Sequence, residues 1–311
     1  NWAICLAEPI SAGRQQHIDI LNHWINDWVD KNPPYKGANW KCGQETSLRL
    51  INLALASSFL KIPSDSEKGI SQWVMSHLLR IQVTSGYALS QQNNHGISEA
   101  AGLYIGGLWL SKISYKHAIY AKKCIDIGRQ RLEQLSQTLI MPDGSFSQQS
   151  VNYHRMVITL YSICKLWNVK FKDTEFSANL NDSLSRATVW LYQMTQPETG
   201  HAPNLGGNDG TIIGYLAKDK FRDMRPSIQL STALFIGQKA YSEDPDSHSI
   251  LNLYGIPTPT KSLSPPETTF FPHGKYATLR AHNAFILFNL PQNTFRPSQC
   301  DPLHIDLWFK G

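Results

Sequence analysis

Gln91-Gln92-Asn93-Asn94-His95-Gly96-Ile97-Ser98-Glu99-Ala100-Ala101-Gly102-Leu103 places amides, a histidine and a glycine directly before a run of small and apolar residues. The run continues through Tyr104, Ile105, Leu108, Trp109 and Leu110, a pattern that predicts a buried helix. Asn94 and His95 then stand at a helix N-terminus, where unpaired backbone N–H groups and the helix dipole favour an anion. The plain alternative for the same residues is helix capping. A polar cluster at the mouth of an apolar helix is a candidate binding site, and the rest of the chain reads as a scaffold around it.

Working upstream, Ile18, Leu21, Trp24, Ile25 and Trp28 recur at helical spacing over about residues 13–29, and Asn32-Pro33-Pro34 ends that helix. A second helix is expected over 44–60, with Leu48, Ile51, Leu55 and Phe59 in one stripe. Pro63-Ser64-Asp65 breaks it, and a third covers 66–83. Downstream, helices are expected over about 115–139, 148–167, 176–194 and 228–241, with a turn at Met141-Pro142-Asp143-Gly144-Ser145 and loop-rich sequence around Gly200, Gly206, Gly207 and Gly210. No strand falls between these helices and no fixed repeat appears. Residues 1–255 therefore read as an all-α domain of stacked helical hairpins.

The character changes at residue 256. Pro257, Pro259, Pro265 and Pro266 lie in a Ser/Thr-rich stretch, and 256–269 reads as a linker. From 270 to 311 the pattern is β: 276–280 and 284–290 read as strands. Residues 303–310 alternate, with Leu303, Ile305, Leu307 and Phe309 on one face and His304, Asp306, Trp308 and Lys310 on the other. Three strands are too few to cover a sandwich core. The chain also begins at Asn1 without a methionine and stops at Gly311 inside a strand pattern, so a piece of a longer protein is expected.

Of 311 residues, 41% are hydrophobic and 17% charged, which fits a globular protein with a large core. The net charge of +5 is spread out, and no Lys/Arg block is dense enough to argue for nucleic acid. A mild positive excess suits an acidic ligand such as a polyuronate. Cys5, Cys42, Cys124, Cys164 and Cys300 are odd in number and form no C-x-x-C, so they read as buried thiols without a disulfide framework or zinc knuckle. The best apolar run, residues 100–110, falls far short of the ~20 residues a membrane span needs.

Three further stretches carry chemistry. In Asp143-Gly144-Ser145-Phe146 through Tyr153-His154-Arg155, a tyrosine falls near a helix start with cations beside it, which can lower a phenol's pKa for acid or base work. The alternative is that Tyr153 packs between helices. In Gly200-His201-Ala202-Pro203-Asn204-Leu205-Gly206-Gly207-Asn208-Asp209-Gly210 the glycines lack the strand-before, helix-after setting of a phosphate loop. The stretch is a candidate cleft wall through His201, Asn204 and Asp209, or a surface loop. In His304-Ile305-Asp306 the two polar residues share a strand face, which suits two metal ligands, a histidine oriented by a carboxylate, or an ordinary polar face. No Gly-x-Ser-x-Gly nucleophile motif occurs.

Trp40…Glu45…Arg49, Asn93-Asn94-His95, Asp143-Gly144-Ser145-Phe146 with Tyr153-His154, the Gly206–Gly210 loop, and Gln299-Cys300-Asp301-Pro302-Leu303-His304-Ile305-Asp306-Leu307-Trp308 occur in an order that resembles the heparinase II/III-like polysaccharide lyases and the alginate lyases that share their architecture. The resemblance implies an incomplete (α/α) toroid followed by the start of an antiparallel β-sandwich, with the active-site cleft between them. It implies cleavage beside a uronic acid by β-elimination, without water and with no cofactor needed for catalysis. On the matching positions Asn94 and His95 would hold the substrate carboxylate, and Tyr153 would protonate the leaving oxygen and also serve as a candidate base. His304 would be a base or a metal ligand with Asp306 as its companion. Asn93, His154, Arg155, His201, Asn204 and Asp209 would line the substrate. Some relatives carry zinc in the sandwich, so a structural zinc at His304 and Asp306 belongs to the same expectation.

The reading is therefore a polysaccharide lyase acting on an acidic, uronate-containing glycan. The form Leu303-His304-Ile305-Asp306-Leu307-Trp308 is similar to members associated with bacterial surface polysaccharide, which points to a periplasmic or secreted protein over a cytoplasmic one. Two alternatives stand beside it. A glycoside hydrolase would need two carboxylates at the right separation, with Glu99, Asp143 and Asp209 the candidates. A non-catalytic glycan-binding protein would keep the cleft and form no product.

Overall fold

The computed structural model describes residues 17–60, 67–214, 221–241, 250–290 and 301–310. Cys5, Cys300, the Pro63-Ser64-Asp65 break and the chain end at Gly311 lie outside these residues. The chain divides into two compact units. One draws on Asn1–Leu132, Trp167–Asp173 and Ile213–Tyr215, the other on Glu133–Leu166, Thr174–Ile212 and Leu216–Gly311.

The first unit contains α1 (His17–Lys31), α2 (Gly43–Leu60), α3 (Glu67–Ser90), α4 (Asn94–Ile113) and most of α5 (Ala118–Thr138). Helices α2, α3 and α4 pack on one another. α4 is the centre: Asn94 and every residue from Gly96 to Leu110 are buried, as expected of a helix apolar on all sides. Its glycines set how closely the neighbours approach. A Cβ on Gly102 would lie 2.7 Å from the Ser47 side chain on α2, and one on Gly106 would lie 2.6 Å from Leu50 and 2.9 Å from Leu78. α3 runs on to Ser90 instead of stopping near 83, because Ser85 and Ala88 continue its buried face through Gly86.

α1 buries only Leu21 and is held at the edge by aromatic contacts. The Arg49 guanidinium lies 4.5 Å from the Trp28 ring and 5.2 Å from the Trp40 ring. Burial, and then the charge of Arg49, push the His77 pKa down to about 3. The neutral ring donates from Nδ1 to the Trp73 carbonyl (2.8 Å) and accepts at Nε2 from Arg49 Nε (3.0 Å). Trp40 and Arg49, two of the residues that carried the resemblance, are thus joined in one packed group.

The second unit contains α6 (Val151–Phe171) up to Leu166, α7 (Ala178–Met194), α8 (Arg225–Phe235) and a sheet of β1 (Thr269–Phe271), β2 (Tyr276–Ala281), β3 (Ala284–Asn289) and β4 (His304–Phe309). α6 begins at Val151 rather than near 148. Gln149 sits at φ 55 outside the helix, and the Ser150 hydroxyl accepts from Tyr153 N at 3.1 Å as the cap. α8 begins and ends earlier than the expected 228–241. Pro226 fits its first turn, and Gly237 at φ 72 closes it by donating to the Thr232 carbonyl (2.9 Å).

The sheet is an antiparallel meander in the order β1-β2-β3-β4. The short β1 starts at the last residue of the stretch expected to be linker and was not itself expected as a strand; it pairs with β2 from Thr269↔Thr278 to Phe271↔Tyr276. Trp190 on α7 is the hub beneath the sheet. It stacks on His154 of α6 (4.5 Å, 18°) and meets Tyr276 (5.5 Å) and Phe271 (6.1 Å). Two charged residues fasten the sheet to the helices. Asp143 Oδ2 accepts from His273 N (2.7 Å) and Gly274 N (2.8 Å), and Arg280 donates to the Gln193 and Thr195 carbonyls at the end of α7 (2.6 and 3.0 Å). On β4 the apolar face is open to solvent, with Ile305 56%, Leu307 67% and Phe309 68% exposed.

Helical hairpins followed by antiparallel strands match the expected class. Cys124 and Cys164 are buried and Cys42 is half-buried, all as free thiols. No helix among the described residues is long and apolar enough to cross a membrane.

Candidate active site

Tyr153 lies in the first turn of α6, and its placement depends on the 204–211 loop laid against that turn. Val151 N donates to the Leu205 carbonyl (3.1 Å), and the Ser150 hydroxyl donates to the Gly207 carbonyl (2.6 Å). Gly206, at φ 71, packs so tightly on the Gln149 carbonyl that a Cβ would clash with it. The loop then bends through Asn208, whose side chain donates to Asn204 Oδ1 (2.6 Å) and accepts from Gly210 N (3.0 Å). Asp209 closes it: Oδ1 accepts from Thr211 N (3.0 Å) and Thr211 Oγ1 (2.6 Å), and Oδ2 accepts from the Tyr153 hydroxyl (3.0 Å).

The electrostatics follow from these contacts. Burial, then the hydrogen bond and charge of Asp209, raise the Tyr153 phenol to about 12. Burial pulls Asp209 upward, but the hydrogen bonds from Thr211 and Tyr153 outweigh it and hold the carboxyl below its ordinary range. The expectation that adjacent cations would acidify Tyr153 is therefore overturned, because the charged partner is an anion.

His154 and Arg155, expected to line the substrate, are both turned into the fold. His154 is 1% exposed, stacked on Trp190, with Nε2 donating to the Ala187 carbonyl at 2.8 Å. Burial pushes its pKa down to about 4, so it is neutral. Arg155 is 5% exposed and donates to the Phe221 carbonyl (2.5 Å), Asn152 Oδ1 (2.6 Å) and the Thr211 carbonyl (3.1 Å). Burial lowers its pKa to about 10 against the pull of Asp223. Both point inward because successive helical residues turn about 100°, which leaves Tyr153 as the half-exposed member of the trio.

His201 follows a turn at Gly200 (φ 74) that packs against Asp223 and Arg225, and its ring meets Trp308 of β4 edge-on at 6.5 Å. Trp308 shares its strand face with His304 and Asp306, so the polar face of β4 lies on the side of the loop that carries His201. His304 pairs across from Asn289 and is exposed, while Asp306 pairs across from Leu287 and is half-exposed. Among the described residues no group of three His, Cys, Asp or Glu could hold a metal. His304 and Asp306 alone supply two of the four ligands usual for structural zinc.

In the first unit, Asn93 proves to be the cap of α4, its Oδ1 accepting from His95 N at 3.0 Å, so that oxygen serves the helix. Asn94 is buried and His95 half-buried in the first turn. Gln92, at φ 48, leads into α4 as Gln149 leads into α6. Left-handed backbone at a non-glycine residue carries strain that clusters at functional sites. One turn further on, Glu99 is 3% exposed, and burial raises its pKa to about 7 against the opposing fields of Arg80 and Arg131.

Sequence reasoning missed one residue of this face and one pairing. Trp308 was already on the His304 face by alternation, so its signal was present. The pairing of Tyr153 with Asp209 spans 56 positions and leaves no mark in local pattern.

Comparison with known proteins follows the same outline. The family described as the heparinase II/III N-terminus matches residues 14–222. Among solved structures, heparinase III is similar with a TM-score of 0.69 at 17% identity, the match covering 100% of this chain and 48% of that one. A second heparinase III structure gives 0.62 at 17% identity, covering 100% and 49%. Heparan sulfate lyase HepC from Pedobacter heparinus gives 0.56 at 17%, covering 100% and 47%. At this identity the likeness is one of fold, the helical toroid and the strands that follow it. The chain spans about half the length of these structures. No curated protein sequence matches it.

Proposed function

The chain belongs to the heparinase II/III N-terminus family, and from that membership we propose that it forms the toroid part of a polysaccharide lyase that cleaves a uronate-containing glycan by β-elimination. The observation that carries the reading is Tyr153, a half-exposed phenol at a helix start, held at 3.0 Å by Asp209 and kept neutral by its surroundings.

The chemistry asks for three things. The C5 proton is weakly acidic while the neighbouring carboxylate is ionised, so that carboxylate must be neutralised and the developing enolate charge stabilised. Asn94 and His95, at the dipole-positive start of α4, are assigned to it. The C5–H electrons become the C4=C5 double bond as the C4–O bond breaks, and the departing oxygen takes the Tyr153 proton. The base is assigned to His304, exposed on the β4 face that also carries Trp308. His201, in contact with Trp308, and Asn204 are placed along the substrate. None of these steps passes through a metal.

A hydrolase is not favoured. Asp143 is held below the ordinary carboxylate range: burial raises it, but hydrogen bonds from Ser145, Gly274 and His273 outweigh that. Such a carboxylate is a poor general acid. Glu99 is buried within α4 and Asp209 is committed to Tyr153.

The test is ultraviolet absorbance of unsaturated uronate over a panel of polyuronates. Heparan sulfate comes first because one similar structure is a lyase of that polymer. Products with a saturated reducing end would indicate hydrolysis, and binding without product would indicate a lectin-like role; either would sink the lyase reading.

A further inference from the structure

We propose that Asp209 is the positioning residue of Tyr153, holding the phenol in place at the start of α6 for its role as the proton donor of the elimination. The proposal rests on the lyase reading above, which already assigns the donor and the base, and goes beyond it by naming the residue that holds the donor in place.

The geometry carries the argument. An ionised carboxylate only accepts, so at 3.0 Å the Tyr153 hydroxyl must be the donor to Asp209 Oδ2. Asp209 is itself aimed. Thr211 fixes its other oxygen through two hydrogen bonds, and the loop is fastened to the start of α6 through Leu205, Gly206 and Gly207. Phenol and carboxylate therefore sit on two segments locked to each other. Asp209 is the charged group that bears on the phenol. The ionisable neighbours on α6 point elsewhere, His154 to the Ala187 carbonyl and Arg155 to Asn152, Thr211 and Phe221.

The chemistry follows. A phenol raised to about 12 is ionised to only about one part in 10⁵ at pH 7, so it is a poor base. It remains an adequate acid toward a departing alkoxide, which is more basic than phenolate. In the step, the hydroxyl turns its single proton from Asp209 Oδ2 toward the departing oxygen; the Oη–H bond breaks as an O–H bond forms there, and the C4–O electron pair leaves with that oxygen. The C5 proton goes to a separate base. The phenolate left beside the Asp209 carboxylate is destabilised by like charge, so it regains a proton readily from water.

The experiment compares the wild-type chain with Asp209→Asn. The substitution keeps the side chain's shape at an exposed position, so the melting temperature should hold. With ¹³Cζ-labelled tyrosine, and Tyr153→Phe to assign the signal, NMR reads the Tyr153 titration directly. Loss of the Asp209 charge should lower its midpoint by about one unit. An unmoved midpoint overturns the pairing. On heparan sulfate, unsaturated-product formation by Asp209→Asn should lose its alkaline limb at lower pH than the wild type does, as the donor ionises sooner. A rate that instead climbs with the phenolate fraction makes Tyr153 a base and overturns the assignment. A change confined to KM with the pH profile intact makes Asp209 a substrate contact and overturns it too. If the wild type forms no unsaturated product from any polyuronate, the lyase reading falls and takes the donor role with it, while the titration still decides whether Asp209 holds the phenol.

Discussion

Replacing Tyr153 with Phe removes one hydroxyl and leaves the ring, so stability should fall only by one hydrogen bond, roughly 0.5–1.5 kcal/mol. Loss of the donor should cut unsaturated-product formation by about 10²–10⁴-fold while glycan affinity persists. A variant that folds, binds and eliminates at the wild-type rate would strip Tyr153 of its role. Glu99 offers a test of a different kind, because its folded pKa is raised to about 7 from an ordinary 4.5. The folded state then binds more protons than the unfolded state between those values, so stability falls as pH rises through that window and levels off above it. Glu99→Gln stays neutral throughout. It should flatten the decline and stabilise the chain at pH 8 by roughly 1–3 kcal/mol, and melting curves from pH 4 to 8 would show it; an unchanged slope would mean that Glu99 remains ionised in the fold. At this scale the sequence reading was uneven for a physical reason. The type and spacing of Tyr153, His154 and Arg155 were visible, but which one meets solvent depends on helix phase against Trp190 and the 204–211 loop, contacts that lie tens of residues away.

Helix boundaries follow chemistry that local pattern only half reveals. The start of α6 is a junction where Ser150 caps the helix and also donates to the Gly207 carbonyl. Ser150→Ala should therefore cost about 1–2 kcal/mol, toward the upper end for a lost cap. Gly206→Ala combines left-handed backbone with a clash against the Gln149 carbonyl, so the loop must lift from α6. It should lower activity more than Ser150→Ala does, because it moves Asp209 away from Tyr153. Measuring the Tyr153 titration midpoint in both variants separates the two effects: only Gly206→Ala should lower it. Apolar stripes revealed the existence of the helices, since burying one face is what stabilises them. Their ends were less legible. Gly237 stops α8 where the stripe continued to 241, and Gly86 does not stop α3 because the buried face carries on beyond it. Strand β1 was hidden for another reason. Three residues beside a proline-rich stretch have too little periodicity to register, and only pairing with β2 makes them a strand.

For the whole chain, the switch from helical to alternating period near residue 256 was readable because the two periods differ so much. What fastens the sheet to the helices was not, since it rests on Asp143, read as a turn residue. Asp143 Oδ1 accepts from Ser145 N (3.1 Å) and Oγ (2.6 Å), while Oδ2 accepts from His273 N and Gly274 N in the β1–β2 hairpin. Gly144, at φ 86, lets the turn pack on the Arg186 carbonyl so that the carboxylate reaches the hairpin. Asp143→Ala would leave the buried Gly274 N–H without its acceptor and remove several charge-assisted bonds together, a loss of about 2–4 kcal/mol. The loss should be local. Hydrogen exchange ought to quicken in the hairpin amides of β1 and β2, while Trp190 and Arg280 still hold the sheet and the α4 amides keep their protection. Acid should imitate the mutation. The folded pKa of Asp143 lies below its ordinary 3.8, so its contribution is present above that value and is lost as pH falls through the folded pKa. Wild type and Asp143→Ala should therefore approach each other in stability as pH falls through the folded pKa of Asp143 and differ fully well above its ordinary value. Equal exchange in the hairpin of both proteins at pH 6 would show that the aromatic packing on Trp190 holds the sheet without this clasp.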